Sequence, residues 1–175
     1  MNDLQSKLEQ VKSNESWLEK IKRYIPGYDG YVNRDNSREL DTILRNKLAV
    51  LLDENKTKLK NTVSVLSENG NLLSVTGLDK IDKKNETVIA KLRSAARGYS
   101  GAFDVVKIKE DKLNQLYQFD GSLLENAEAV CNKFADLESK AKAKEDLAAH
   151  VSEISDTLDG FLNKFDERED ILRQL

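Results

Sequence analysis

The sequence predicts an all-α protein, an antiparallel bundle of four or five long helices, and three observations carry that prediction. Leucine, isoleucine and valine recur at steps of three and four along most of the chain, the spacing that places side chains on one face of a helix. Proline occurs once and aromatic residues make up 6%, whereas a sandwich or barrel needs turn formers every ~8–12 positions. Charged residues reach 34%, as expected for helices with solvated outer faces, and 39% hydrophobic residues in periodic order argue against disorder. The 175 residues suit one helical-bundle domain, 1–175, large enough to bury a substantial core.

The first helix is expected over about residues 3–24, with Leu4, Leu8, Val11, Leu18, Ile21 and Ile25 as its apolar stripe. Pro26 ends it, because proline disfavours the α region for Ile25 and has no N–H to donate. A second helix begins near Asn36, where Asn36 and Glu39 resemble a capping box. Its stripe is read as Leu40, Leu44, Leu48, Leu51, Leu59, Val63 and Leu66, and Asn69-Gly70 supplies its stop. Thr76 with Asp79 reads as the cap of a third helix running to Arg97, with Leu78, Ile81, Val88, Leu92 and Ala95 facing inward. Residues 98–108 read as non-helical, with Phe103, Val105, Val106 and Ile108 able to form only a short extended piece.

From Glu110 onward the pattern is helical throughout, in two stripes. Leu113, Leu116, Leu123, Ala127, Val130, Phe134 and Leu137 make one; Leu147, Val151, Ile154, Leu158, Phe161, Phe165 and Leu172 make the other. The register slips over 138–146, although SKAKAKE contains only helix-favouring residues and no breaker. We therefore expect the chain to reverse there and residues 145–175 to fold back on the bundle. The alternative is one rod of ~60 residues that buries its last stripe against another subunit.

Two similar corners interrupt the helices. Gly27, Tyr28, Gly30 and Tyr31 have a counterpart in Gly98, Tyr99, Gly101 and Phe103, 71 residues on. The spacing also fits a duplicated helical hairpin, with pseudo-repeat halves 1–70 and 78–140. Pro26-Gly27 suits the centre of a type II turn, in which glycine supplies the positive φ. The tyrosine rings can then bury ~150–200 Å² each across the end of the bundle. A structural corner is the favoured reading, and an aromatic pocket for a ligand is the alternative.

The motifs IPGYDGY, ILRNKLA and ARGYSGAFD, the last leading to LNQLYQFD, resemble an uncharacterised family of prokaryotic all-helical proteins. The resemblance covers roughly residues 20–130, implies a helical fold and implies no activity. The family's pattern would place an acidic cap before the fourth helix, where this chain has Lys109.

Candidates for chemistry are few. His150 is the lone histidine, and Asp146 lies one helical turn before it, enough for a weak metal contact at most, so no metal or cofactor is expected. Cys131 is the lone cysteine, which excludes an internal disulfide or a Cys-based zinc site, reads as a small core residue, and fits a reducing cytoplasm. A Cys131–His150 nucleophile pair lacks an evident third member. No phosphate-binding glycine motif occurs, and no apolar run approaches the ~18 residues of a membrane span. Asp120 stands out because it occupies a stripe position between Leu116 and Leu123, where a carboxylate must be paired. It reads as a buried brace to Arg93, Arg97 or a corner amide, with a catalytic acid as the alternative.

Charge is uneven: residues 1–109 carry 20 basic and 15 acidic side chains, and residues 110–175 carry 8 and 16. A net of +5 over 109 residues is far from the basic stripe of a dedicated nucleic-acid binder, so rim ion pairs between helices are the favoured explanation. The expected function is therefore non-enzymatic, in protein–protein interaction or scaffolding, with another protein or a second copy as partner. A binder of nucleic acid or an anionic surface through the basic N-terminal two-thirds is one alternative. A small-ligand binder or enzyme with a site near the glycine-tyrosine corners is the other.

Overall fold

The computed structural model describes residues 18–28, 34–70, 75–94 and 110–173. The chain is an all-α bundle, and the described residues contain no strand. The helices are α1 (residues 18–24), α2 (Arg34–Asp53), α3 (Asn55–Glu68), α4 (Val75–Ser94), α5 (Glu110–Lys142) and α6 (Ala148–Arg173). No helix of the described residues is long and apolar enough to cross a membrane.

Local chemistry sets most of the helix ends. After α1, Tyr28 N–H donates to Ile25 C=O at 3.1 Å and Gly27 has φ +85°. Those are the hydrogen bond and the backbone sign that a type II turn centred on Pro26-Gly27 requires. Asn69-Gly70 stops α3 as the sequence indicates, with Gly70 at φ +72°. Two expected starts differ. Helix α2 begins at Arg34 and α4 at Val75, two residues ahead of Asn36 and one ahead of Thr76.

The stretch expected to be one helix to Asn69 is interrupted at Glu54, where Thr57 N–H reaches back to Glu54 C=O at 3.2 Å. Side chains from other helices take the carbonyls next to the break. Asn85 Nδ2 donates to Leu52 C=O at 2.9 Å, and the Cys131 thiol donates to Leu51 C=O at 3.2 Å. Insertion of side-chain donors into the ladder is a recognised cause of helix interruption. The buried face of this stretch is Leu48, Leu52, Asn55, Leu59, Thr62 and Leu66, whereas Leu51 and Val63 are only half-buried. An apolar-only reading passed over Asn55 and Thr62 and shifted the stripe by one residue.

The reversal over 138–146 is present. Helix α5 ends at Lys142, Lys144 takes φ +60°, and α6 starts at Ala148. Lys144 N–H donates to Ala141 C=O and Glu145 N–H to Lys140 C=O, both at 3.1 Å, which is a Schellman motif with lysine in the place usual for glycine. The Lys140–Glu145 ion pair, 3.2 Å, joins the two positions where such motifs usually make an apolar contact. Asp146 Oδ1 then accepts Ala148 N–H at 3.2 Å and opens α6.

The chain divides into two compact units, one of residues 1–47, 96–124 and 164–175, the other of residues 48–95 and 125–163. Each therefore draws on stretches far apart in sequence. In the first unit, Asp120 pairs with Arg168 and Ser122 with Lys164, so α5 and α6 run antiparallel there. Its apolar core includes Ile21, Ile25, Leu44, Leu116, Leu123, Phe165 and Leu172. In the second unit, α3 and α4 are antiparallel, joined by Lys56–Glu86 and Asn55–Asn85. There α5 and α6 are antiparallel too, through Lys133–Glu153 and Asp136–His150. The two hairpins align α3 with α5 through Lys58–Cys131 and Asn61–Glu138, and α4 with α6 through Gly77–Val151 and Lys84–Asp159. Its core is built from Leu52, Leu59, Ile81, Val88, Val130, Phe134, Leu158 and Phe161, among others. Burial of each large side chain contributes on the order of 1.5–3 kcal/mol.

Candidate functional site

The most unusual chemistry in the first unit is a set of charges with no access to water. Asp41 and Arg45 lie one turn apart on α2, Asp120 on α5 and Arg168 on α6, and each is no more than 2% exposed. Arg168 Nε donates to Asp120 Oδ1 at 2.5 Å, and its Nη1 donates to Asp41 Oδ1 at 2.7 Å. Arg45 Nε donates to Asp41 Oδ2 at 2.8 Å, and its Nη2 to Thr42 Oγ1 at 3.3 Å. The second oxygen of Asp120 accepts the Tyr28 hydroxyl at 3.2 Å. The Pro26-Gly27 turn positions that ring, so the first glycine-tyrosine corner ends on the carboxylate that the sequence marks as misplaced.

These two carboxylates and two guanidinium groups balance one another in charge among the described residues, and arginine's planar fork lets Arg168 serve two acceptors at once. Such a set costs several kcal/mol of desolvation per ion, offset only if the geometry is good and the lone pairs are satisfied. The arrangement can orient α1, α2, α5 and α6 by fixed hydrogen bonds. Acid–base work on an outside molecule would need a path to Asp120, whose exposure is 0%.

Asp120 is buried and accepts a hydrogen bond from an arginine, as its stripe position led us to expect, and among the described residues that arginine is Arg168 rather than Arg93. Arg93 is exposed, and Arg97 lies outside the described residues. Arg168 carries the same signal as Asp120, a charge on a stripe, here Phe161, Phe165, Arg168 and Leu172 at steps of four, three and four. Asp41 and Arg45 precede Leu48 and Leu52 at the same spacing. Gly30, Tyr31, Gly98, Tyr99, Gly101 and Phe103, the remaining corner candidates, lie outside the described residues.

The second unit has its own buried polar set. Leu52 C=O can only accept, so it fixes Asn85 Nδ2 toward itself. Asn85 Oδ1 then accepts Asn55 Nδ2 at 3.2 Å, which leaves Asn55 Oδ1 buried with no partner. Cys131 is half-buried beside this set, and burial pushes its thiol pKa above the ordinary value, against the opposing effect of Lys58. A thiol so placed is a poor nucleophile at neutral pH.

The pairings weighed for His150 do not form. Its Nε2 faces Asp136 at 3.8 Å, while Asp146 Oδ1 is taken up by the start of α6. Cys131 is engaged with Leu51 C=O rather than with His150. Among the described residues no group of three His, Cys, Asp or Glu side chains is placed to hold a metal ion. No protein-family model matches the chain, and no curated protein or solved structure matches it either.

Proposed function

We propose that the protein is a non-enzymatic, cytoplasmic helical-bundle protein that acts by binding another protein or a second copy of itself, with its buried charges serving as a brace. The observation that carries this reading is the pairing, among the described residues, of Asp41, Arg45, Asp120 and Arg168 with one another at 2% exposure or less. The side chains best suited to catalysis in the first unit are thereby committed to holding helices together. In the second unit Lys84 meets Asp159, Lys56 meets Asp53 and Glu86, and Lys133 meets Glu153. Each such pair withdraws one cation from a phosphate-tracking surface, whose cations must be available to displace counterions.

Thermal-shift screening against metabolites, nucleotides and short nucleic acids tests the reading, with Tyr28→Phe as the comparison variant. The expected result is no ligand whose stabilisation depends on the Tyr28 hydroxyl. A compound that raises the Tm of the native protein but not of folded Tyr28→Phe would instead establish a ligand site at the corner.

A further inference from the structure

In the first unit, Gln118, Phe119 and Ser122 of α5 and Lys164 of α6 line a depression of about 300 Å³. Gln118 and Ser122 are one helical turn apart, and Phe119 and Ser122 nearly so, which brings an amide, a ring and a hydroxyl to one face. Lys164 closes that face from the antiparallel helix, its ammonium donating to Ser122 Oγ at 2.8 Å.

Lys164 has no carboxylate partner among the described residues. Lys84, Lys133 and Lys140 are half-buried as Lys164 is, and each meets a carboxylate, from Asp159, Glu153 and Glu145 respectively. Lys164 has only the serine hydroxyl among the described residues. An ammonium offers three donors, so two remain. Ser122 Oγ accepts from Lys164 and keeps its own O–H to give away. Two donor groups with unused protons thus stand at the edge of a half-buried aromatic ring.

We infer that this depression binds a small amphiphilic carboxylate, with its apolar body on Phe119 and its carboxylate on Lys164 Nζ and Ser122 Oγ. The charge sign follows from a cation that meets no carboxylate among the described residues, and the apolar body from the ring and the lysine stem beside it. The volume lies at the lower end of ~300–1,000 Å³ for small-molecule sites, so the ligand is small, and a dissociation constant on the order of 1 mM is the weakest that would mark a site. This site is separate from the buried brace and does not depend on the proposed protein partner.

Titration with octanoate, octylamine and octanol, followed by amide chemical shifts around Phe119 and Lys164, tests the inference on the full chain. Octanoate should saturate the site at least tenfold more tightly than the amine or the alcohol. Lys164→Met should remove that preference, and Ser122→Ala should weaken octanoate by a smaller factor. Comparable binding of octanoate and octylamine overturns the charge assignment without needing any variant. Unchanged octanoate affinity in folded Lys164→Met, or no saturation by octanoate at 10 times that ~1 mM limit, overturns the site itself.

Discussion

Arg168 is the residue whose removal should reveal most about the buried charges. Arg168→Met keeps comparable apolar bulk but strips Asp120 and Asp41 of a donor that sits 2.5 and 2.7 Å away. Asp120 retains the Tyr28 hydroxyl, a neutral donor, and Asp41 retains Arg45. The variant removes one positive charge from four groups that are each at most 2% exposed and that balance one another among the described residues. Breaking a buried pair from one side typically costs ~3–5 kcal/mol, because the remaining charge is left uncompensated. For a chain of this size that corresponds to a fall in Tm of roughly 6–20 °C. Removing both partners, Asp120→Leu with Arg168→Met, restores that balance and leaves the Asp41–Arg45 pair intact. The double variant should therefore be at least ~2 kcal/mol more stable than Arg168→Met alone, a departure from additivity of the kind that contacting pairs show. Circular dichroism at 222 nm, with urea and thermal denaturation of the four members of the cycle, gives the numbers. A loss below ~1 kcal/mol for Arg168→Met, or a double variant whose loss equals the sum of the singles, would refute the brace.

Other expectations follow from single positions. Lys144 sits at φ +60°, so Lys144→Gly should stabilise by ~0.5–1 kcal/mol in urea denaturation, and a destabilised variant would show that the Schellman turn does not strain lysine. Gly27→Ala, at φ +85° with open space around its Cα, should cost about 1 kcal/mol through backbone strain alone, and a neutral result would contradict the type II turn. Asn85→Ala leaves the amide of Asn55 without its acceptor and Leu52 C=O without its donor, a predicted loss of ~1–3 kcal/mol; amide exchange confined to residues around Glu54 should quicken with it. The Cys131 thiol, pushed up by burial, keeps its proton to higher pH folded than unfolded, so stability should fall as pH rises past the ordinary thiol range. Cys131→Ala should flatten that decline, and an identical pH profile in the variant would contradict it.

The fold class was legible because leucine spacing survives the averaging over faces, and the Pro26-Gly27 turn because only one backbone geometry suits that dipeptide. Asp120 was legible as a charge on a stripe. Arg168, Asp41 and Arg45 carry the same signal, but the sequence reading did not single them out, because charged side chains usually reach water. The break at Glu54 was invisible for a different reason. Its causes, Asn85 and Cys131, lie 33 and 80 residues from the carbonyls they take up, and no local propensity records a donor arriving from another helix. The reversal after Lys142 was signalled only by the register slip, since the residues that make the turn all favour helix.

The central functional claim, that the protein works through a protein partner rather than through a reaction, is tested most directly by chemical cross-linking in the cells that express it at native level. Cross-linked peptides should join surface lysines of this chain reproducibly to one other protein or, at sequence positions incompatible with a single chain, to a second copy. Cross-links confined to one chain at every reagent concentration would contradict the account.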